Sequence, residues 1–349
     1  MTALPRRALA RGVDVALEGT VVLSFSRVGA AVRSRLEGWP DLATLSGAGQ
    51  RVVVTGASSG LGYATTRALL ASGAEVIATA RDEVKAERTR AALAAEVGPA
   101  AAGRLDLAPL DLDRFASVEA LAERLRGEDR PVDAVVHNAG ALLASREVTP
   151  DGLERTYQVH VAAPFLLTAR LLPLLRRSGA GRVVTVTSGG MYGAKPVAAL
   201  VDSPDRYRGL TAYARAKRAQ VTLTAEWQRR LGGAGATFHV AHPGWADTPG
   251  LAASLPGFRR AVGPLLRDVG EGADTIVWLV LADAPSSQPG RLWHDRRPRG
   301  AHRLPSTRPD PGEADALWRR VCRDTGVDPA AAEHWGGSPH GDRPSGSQA

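Results

Sequence analysis

The chain has 349 residues, and its hydrophobic fraction of 44% is enough to bury a sizeable core in one large domain or two ordinary ones. Its formal net charge is +8, but the basic residues are scattered and not interleaved with aromatic residues, so we expect a solvated basic surface and no nucleic-acid partner. Cys322 is the only cysteine, which excludes an intrachain disulfide and a cysteine-based metal site and fits a reducing, cytoplasmic location.

The first 48 residues predict an amphipathic helical extension. Apolar residues recur at near-helical spacing as far as Leu36, with arginines between them. The apolar run from Gly19 to Ser26 is too short to span a bilayer, and no clear signal-peptide cleavage site precedes Arg27. Two alternatives remain open: the helix packs on the domain or on a partner subunit, or it makes peripheral contact with a membrane surface.

From residue 50 onward, short stretches rich in valine and isoleucine alternate with helical stretches. We interpret seven of them as strands: RVVVT, AEVIATA, GRLDLAPL, VDAVVH, RVVTVT, ATFHVA and RLWHD. This alternation predicts an α/β fold over residues 49–329, a single Rossmann-type, doubly wound, seven-stranded parallel sheet with helices on both faces. Residues 330–349 are rich in glycine, proline and serine and predict a disordered tail.

The turn after the first strand carries a glycine pattern, VVVTGASSGLGYAT. Gly56, Gly60 and Gly62 fall between the strand that ends at Thr55 and the next helix. Glycines here let the backbone approach a pyrophosphate, and the helix N-terminus offers free N–H groups to the anion. The position predicts a dinucleotide site, and an ordinary tight turn is the alternative.

The end of the second strand, ATARD, bears on the choice of cofactor. NAD-binding sheets usually carry an acidic residue here for the ribose hydroxyls, but this place holds Ala80, followed by Arg81. An arginine favours a 2′-phosphate, so the sequence predicts NADP rather than NAD. The adjacent Asp82 weakens this argument, and a solvated surface role for Arg81 is the alternative.

The segment AYARAK predicts an acid/base pair. Tyr213 and Lys217 are four residues apart, so on a helix they share one face. A cation that close stabilises tyrosinate, and we therefore expect a Tyr213 pKa below its usual value near 10. The preceding strand, RVVTVTSGG, ends at Ser188, where it would open into a cleft.

Another predicted strand ends in AHPGWADT, where Pro243 and Gly244 turn the chain and bring Thr248 within reach of a bound ligand.

The chain resembles the short-chain dehydrogenase/reductase family over about residues 49–295. The resemblance is carried by five motifs in this order and spacing: TGASSGLG, HNAG at residues 137–140, TVTSGG, YARAK and HPGWADT. Longer stretches such as SGGMYGAKP and GRLWHDRRPRGAH resemble the member 12 subgroup of that family and its bacterial relatives.

The resemblance implies roles for the matching residues. Tyr213 would donate or accept the proton, Lys217 would lower its pKa and hold the nicotinamide ribose, and Ser188 would hydrogen-bond the substrate oxygen. Asp111 would contact the adenine and Thr248 the nicotinamide carboxamide. The residues expected to line the cofactor are Gly56, Ser58, Ser59, Gly60, Leu61, Arg81, Asp111, Leu112, Asn138, Ala139, Gly140, Tyr213, Lys217, Pro243, Gly244 and Thr248.

One residue departs from the family pattern. The family's central helix carries an asparagine that supports a water chain to the lysine, and DGLERTYQVHVAAPFLLT puts His160 in that place. A histidine can donate and accept, but its charge would change near pH 6.5. Either His160 sustains the relay with a shifted pH profile, which we favour because the other motifs are intact, or activity is low. No second ligand lies at helical spacing, so we expect no metal site.

The resemblance implies an oxidoreductase that interconverts a carbonyl and an alcohol by hydride transfer to or from the cofactor. The candidate substrate residues are Met191, Trp245, Leu251, Leu255 and Phe258. They lean apolar, so we expect a hydrophobic small molecule, a lipid-, steroid- or retinoid-like carbonyl or a polyketide-type one.

The alternative is a nucleotide-binding sensor or scaffold with little catalysis. His160, the amphipathic N-terminal helix and the basic charge motivate it. The family also implies a homo-oligomer, although the N-terminal extension could block the usual interface.

Overall fold

The computed structural model describes residues 3–195, 206–231 and 235–328, so the predicted tail at residues 330–349 lies outside the described residues. Its strands are β1 Arg51–Val54, β2 Glu75–Ala80, β3 Leu105–Pro109, β4 Ala134–His137, β5 Gly181–Val186, β6 Ala236–Ala241, β7 Leu292–His294 and β8 Arg297–Arg299. They form one sheet in the order β3-β2-β1-β4-β5-β6-β7-β8. Neighbouring strands are parallel except for β7 and β8, which are antiparallel.

The helices of the described residues are α1 Ala3–Gly19, α2 Val21–Phe25, α3 Arg27–Glu37, α4 Gly60–Ala71, α5 Glu83–Val97, α6 Pro99–Ala102, α7 Phe115–Gly127, α8 Arg155–Arg177, α9 Gly209–Leu231, α10 Pro249–Ser254, α11 Pro256–Val262, α12 Val269–Leu281 and α13 Pro311–Thr325. One buried cluster joins α4, α5 and α12 to one face of the sheet. A second cluster joins α7, α8, α9 and α13 to the other face. The predicted doubly wound α/β fold is confirmed.

The central strands explain this arrangement. Every residue of β1, β4 and β5 is buried, as expected for strands that helices cover on both sides. The chain order reverses between β1 and β4, so the connections that follow these two neighbouring strands run to opposite faces of the sheet and leave a crevice at the carboxyl ends. That crevice is where ligands bind in open parallel sheets.

The predicted strand number of seven is one too low. The eighth strand has three residues, Arg297–Arg299, and a central Pro298, so it lacks the apolar pattern of a strand. It forms because Asp295 and Arg296 both take left-handed conformations, with φ of 53° and 52°, and turn the chain back on β7.

The central helix α8 combines unusual length with an apolar composition among the described helices. Its length and composition would suffice to cross a membrane, but 83% of its most apolar window is buried inside the protein, as in the core helix of a globular domain. It contains a π-helical segment at Gln158–Ala162. Such segments often mark functional positions in helices.

The N-terminal extension is helical, and it consists of three helices, α1, α2 and α3, rather than one continuous helix. The breaks fall at Thr20 and Ser26, which both have extended backbones. We call residues 3–37 the N-terminal lobe. Its buried residues Leu17 and Phe25 are 8% and 2% exposed, so the lobe packs on the domain.

Buried ion pairs attach this lobe to the turn that follows β7. The side chain of Arg33 is 1% exposed and lies 2.7 Å from Asp14 and 2.5 Å from Asp295, which follows β7. Asp295 also pairs with Arg267 at 2.6 Å. Burial acts to raise the pKa of Asp295, but the neighbouring His294 and these two arginines together hold that pKa well below its ordinary value. Charges this deeply buried persist only when they are mutually paired.

Candidate active site

The glycine turn forms one end of the crevice. Helix α4 begins at Gly60, and the side chain of its N-cap Ser59 makes no capping hydrogen bond. A Cβ on Gly62 would lie 2.2 Å from the carbonyl oxygen of Gly56, so a side chain cannot fit there. The first turn of the helix therefore presents N–H groups and a positive dipole end without a capping side chain, an arrangement suited to a pyrophosphate.

A cleft of about 390 Å³ continues from this turn along the carboxyl ends of the strands. Its size is within the range of small-molecule sites. The predicted cofactor residues that line it are Gly56, Ser58, Ser59, Gly60, Leu61, Arg81, Asp111, Leu112, Asn138, Ala139, Gly140 and Thr248. The cleft thus brings together residues from four strand ends and fits an extended dinucleotide.

Pro243 and Gly244 are not among the residues that line this cleft. Gly244 has a φ of 74°, and a Cβ there would lie 2.4 Å from Nε of Arg267. Its glycine is therefore required for the backbone conformation and for the packing of that arginine. Direct cofactor contact by these two residues stays a prediction.

The charges at the adenosine end clarify the role of Asp82. Its carboxylate accepts hydrogen bonds from the backbone N–H groups of Val84 and Lys85 at 2.9 and 3.2 Å, which caps α5. Arg81 and Lys85 both line the cleft, and Arg81 is 3.7 Å from Asp113. We did not predict a cofactor role for Lys85 from the sequence, although it is one of three lysines in the chain.

Asn138 holds the floor of the cleft together. Its Nδ2 donates to the carbonyl oxygens of Thr55 and Gly56 at 3.0 and 3.2 Å. The hydroxyl of Thr55 in turn accepts from the N–H groups of Asn138 and Ala139, each at 3.1 Å. These bonds connect the ends of β1 and β4 and fix the glycine turn relative to the middle of the cleft.

Ser188, Tyr213 and Lys217 lie together near the end of β5. None of the three is among the residues that line the cleft, so direct cofactor contact by Tyr213 and Lys217 stays a prediction. Nζ of Lys217 is 5.5 Å from the centre of the Tyr213 ring and donates to the carbonyl oxygen of Val186, at the end of β5, at 2.9 Å. Thr187 donates from its hydroxyl to the Lys217 carbonyl oxygen at 2.9 Å. Ser188 follows on the same strand end and is hydrogen-bonded to the Tyr213 side chain. One strand end and one helix therefore position all three groups.

The expected lowering of the Tyr213 pKa is wrong for this structure. Burial raises the pKa of Tyr213, and the Ser188 hydrogen bond only partly offsets this effect. Burial also lowers the pKa of Lys217 from 10.5 to about 7. Loss of water disfavours both charged forms, so Tyr213 is a neutral phenol and Lys217 is near the midpoint of its titration at neutral pH.

His160 lies behind Tyr213, in the π-helical segment of α8. It is 1% exposed, and its ring meets the Tyr213 ring edge to face at 5.3 Å between centroids. Nε2 is 2.8 Å from the carbonyl oxygen of Ala141 and 3.2 Å from its amide nitrogen. One nitrogen cannot serve both, and the shorter distance assigns the proton to Nε2. A Cβ on Gly140 would lie 2.3 Å from this ring, so glycine is required there.

The expectation that His160 changes charge near pH 6.5 is also wrong. Burial lowers its pKa to about 3, with a further contribution from the charge of Lys217. The imidazole is therefore neutral throughout the physiological range. It can pass a proton between neutral partners, but it cannot act as a cation in the site.

A cavity with about 30 Å³ of space for water-molecule centres adjoins His160. Its lining includes His137, His160 and Gln220, and each has a buried polar atom without a hydrogen-bond partner in the described residues, namely Nδ1, Nδ1 and Oε1. This volume suits one or two water molecules. Gln220 also donates to the His160 carbonyl oxygen at 2.8 Å. Most of the other lining residues are apolar, so these three polar atoms are the groups that could hold a short water chain behind the site.

The predicted substrate residues divide into two groups. Met191 is fully buried in a small core cluster. Leu251, Leu255 and Phe258 are partly exposed on α10 and α11, and the Phe258 ring packs edge-on against Trp245 at 5.1 Å between centroids. Four of the five residues therefore lie on the loop and short helices that follow β6.

Comparison with known proteins supports the resemblance. The family model described as short chain dehydrogenase matches residues 50–256. The SDR family member 12 dehydrogenase/reductase of Bos taurus is 36% identical over 80% of this chain and 87% of its own length. Human retinol dehydrogenase 14 is 35% identical, with coverages of 82% and 90%. Polyprenol dehydrogenase of Mus musculus is 34% identical, with coverages of 80% and 84%.

Solved structures show the same fold. An uncharacterised protein from Mycobacterium paratuberculosis is 30% identical, with a TM-score of 0.64 over 82% of this chain and 97% of that one. A protein from Beutenbergia cavernae described as an NAD(P)-dependent gluconate 5-dehydrogenase, with NADP bound at low occupancy, is 25% identical, with a TM-score of 0.59 over 72% and 96%.

Proposed function

Since this chain belongs to the short-chain dehydrogenase family, we propose that it is an NADP-dependent oxidoreductase that interconverts a carbonyl and an alcohol on a hydrophobic small molecule. The observation that carries the proposal is the convergence of Ser188, Tyr213 and Lys217 at the end of β5. His160 connects this group to the cleft that fits a dinucleotide, because its ring contacts Tyr213 and its Nε2 bonds Ala141 in the cleft lining. When bound, the nicotinamide supplies or accepts the hydride.

The three side chains divide the remaining chemistry. Ser188 orients the substrate oxygen by a hydrogen bond and keeps it beside the phenol. Tyr213, neutral because of its raised pKa, donates a proton to the carbonyl oxygen as the alcohol forms, and takes it back in the reverse direction. Lys217 is held in place by its hydrogen bond to Val186. In its protonated form it stabilises the tyrosinate that forms when Tyr213 gives up its proton.

Turnover by a purified preparation tests this proposal. We expect NADPH consumption with members of a panel of aldehydes and ketones, and a loss of about 10²–10⁴-fold in kcat for Tyr213→Phe, which keeps the ring but removes the proton. Tight NADPH binding without turnover of any panel member would favour the alternative, a nucleotide-binding sensor or scaffold.

The preference for NADP rests on two cations. Arg81 and Lys85 line the adenosine end of the cleft, while the Asp82 carboxylate is occupied as a helix cap. Two cations attract a 2′-phosphate, whereas an NAD site needs a free carboxylate for the ribose hydroxyls. We expect NADPH to bind more tightly than NADH, and Arg81→Ala to weaken NADPH binding alone. Equal or tighter binding of NADH would contradict this preference.

A hydrophobic substrate is supported by the apolar residues after β6, namely Trp245, Leu251, Leu255 and Phe258. The names of two relatives, a retinol and a polyprenol dehydrogenase, point to the same class. We therefore place all-trans-retinal and long-chain aldehydes first in the panel. Polyketide-type ketones are the second class to test.

We also propose a cytoplasmic location with reversible attachment to a membrane surface. Among the described residues, six of the ten exposed large hydrophobic side chains lie in the N-terminal lobe, namely Leu9, Val15, Val21, Val22, Leu23 and Val28. Arg11, Arg27 and Arg35 are exposed between them and would attract anionic lipid. Co-sedimentation with phosphatidylserine vesicles tests this, and concentration-dependent dimerisation without vesicle binding would instead identify a homo-oligomer interface.

A further inference from the structure

The N-terminal lobe reaches the wall of the substrate side. Its helix α2 ends at Phe25, whose ring is 2% exposed. This ring stacks on His242 at 4.3 Å between centroids and meets the edge of Trp245 at 6.0 Å. Trp245 is one of the predicted substrate residues, so a residue from the extension supports a predicted part of the substrate site.

The backbone near Phe25 is bonded to the same loop. The Phe25 carbonyl oxygen accepts from the Trp245 N–H at 2.8 Å and from Nε of Arg267 at 3.1 Å. The Ser24 carbonyl oxygen accepts from Arg33 at 3.0 Å. The end of α2 therefore forms part of one hydrogen-bonded unit with the loop after β6.

Arg267 holds this unit in place through both its side chain and its backbone. Its guanidinium is 2% exposed and paired with Asp295, while its backbone N–H donates to the Trp245 carbonyl oxygen at 2.8 Å. Its carbonyl oxygen accepts from the Asp247 N–H at 2.8 Å. The loop before α10 thus pairs through an isolated parallel β-bridge at Ala246 with a buried arginine that also binds Phe25.

The same ring lies behind the catalytic serine. A Cβ on Gly189, the residue after Ser188, would be 3.4 Å from Cε2 of Phe25 and 3.2 Å from Nε2 of His242. Phe25 therefore packs between the segment that carries Ser188 and the loop that carries Trp245. A rigid aromatic ring in this place sets the distance between the two walls.

We propose that Phe25 is a positioning residue for the substrate, which holds Trp245 and the loop after β6 in register with Ser188. This inference rests on the proposed function for its kinetic consequences, but its structural consequence is independent of catalysis. The lobe thereby becomes a part of the substrate site, in addition to being an attachment to the domain.

The experiment compares Phe25→Ala and Phe25→Leu with the matched control Leu17→Ala in the full-length protein. Leu17 is a buried apolar residue of the same lobe, 8% exposed, and it is not part of the hydrophobic cluster that contains Phe25 and contacts Trp245. Hydrogen exchange is followed at amides 245–258 and at amides 56–71 of the glycine turn and α4. Kinetics use all-trans-retinal and decanal with NADPH, and thermal unfolding is recorded for every variant.

For Phe25→Ala we expect exchange at 245–258 to accelerate about tenfold, with 56–71 unchanged. We expect KM for retinal to rise about tenfold while the NADPH dissociation constant stays within about twofold. Phe25→Leu should lie between the wild type and Phe25→Ala, and it carries the test if the alanine variant does not fold.

Leu17→Ala should lower thermal stability without changing hydrogen exchange at amides 245–258 or KM for retinal. The proposal is overturned if Phe25→Ala leaves exchange and KM unchanged, or if Leu17→Ala changes both to the same extent. A wild-type protein that reduces no carbonyl would refute the proposed function, and the exchange data would still decide the inference.

Discussion

The pH dependence of carbonyl reduction should be set by Lys217. Burial lowers its pKa from 10.5 to about 7, and this difference of about 3.5 pH units corresponds to about 5 kcal/mol against the charged form. If catalysis requires the ammonium, kcat/KM should fall about tenfold for each pH unit above 7 and be about 100-fold lower at pH 9 than on the acid plateau. The sign follows because deprotonation removes the charge that stabilises tyrosinate.

The assay is kcat/KM for retinal at saturating NADPH between pH 5.5 and 9.5. His160→Asn should keep the fall near pH 7, because the wild-type imidazole, with a pKa of about 3, does not titrate in this range. Lys217→Arg keeps its charge at every pH in the series and should lose the fall, at a lower overall rate. A wild-type profile flat to pH 9, or a transition near 6.5 that disappears in His160→Asn, would refute this reasoning.

Three further outcomes follow from buried groups. The pKa values of His137, His160 and His239 are lowered to about 4, 3 and 4. Between pH 6 and 4, only the unfolded chain binds protons at these histidines. The free energy of unfolding in urea titrations should therefore decrease by about 1.4 kcal/mol per histidine for each unit by which the pH falls in this range. Gly140→Ala should cost about 1–3 kcal/mol by overpacking and lower kcat by displacing the His160 ring, as seen in melting and rate measurements. Arg33→Met should cost about 3–5 kcal/mol in chemical unfolding because it removes the buried cation that Asp14 and Asp295 share, and a loss below 1 kcal/mol would contradict the network.

The sheet and the phosphate end were predictable because their signals are local. Val- and Ile-rich runs predict buried strands, and the glycines of the first turn are needed for backbone approach within a few residues. The eighth strand could not be found in this way. It depends on a turn formed by Asp295 and Arg296, residues that rarely take left-handed conformations, and on pairing with β7.

The electrostatics of the site could not be read from the sequence. Spacing places Tyr213 and Lys217 on one helix face, but it does not show how much water each group loses on folding. The structure shows that burial dominates at both, and at His160, so the sequence-based pKa expectations had the wrong sign or range. The role of Phe25 was equally hidden, because its contacts lie more than 160 residues away in the chain.

The ion pair between Arg33 and Asp295 joins residues that are 262 positions apart. During synthesis the N-terminal lobe leaves the ribosome first, yet its buried arginine has no carboxylate from β7 until almost the whole domain has been translated. The surface by which the lobe contacts the domain therefore stays exposed until Asp295 has been synthesised, and exposed apolar surface of this kind is prone to aggregation. A nascent chain that stalls before β7 would have a complete glycine turn for the nucleotide, but the loop after β6 would lack the support of the N-terminal lobe. The predicted substrate site can therefore form only after β7 and Asp295 have been synthesised.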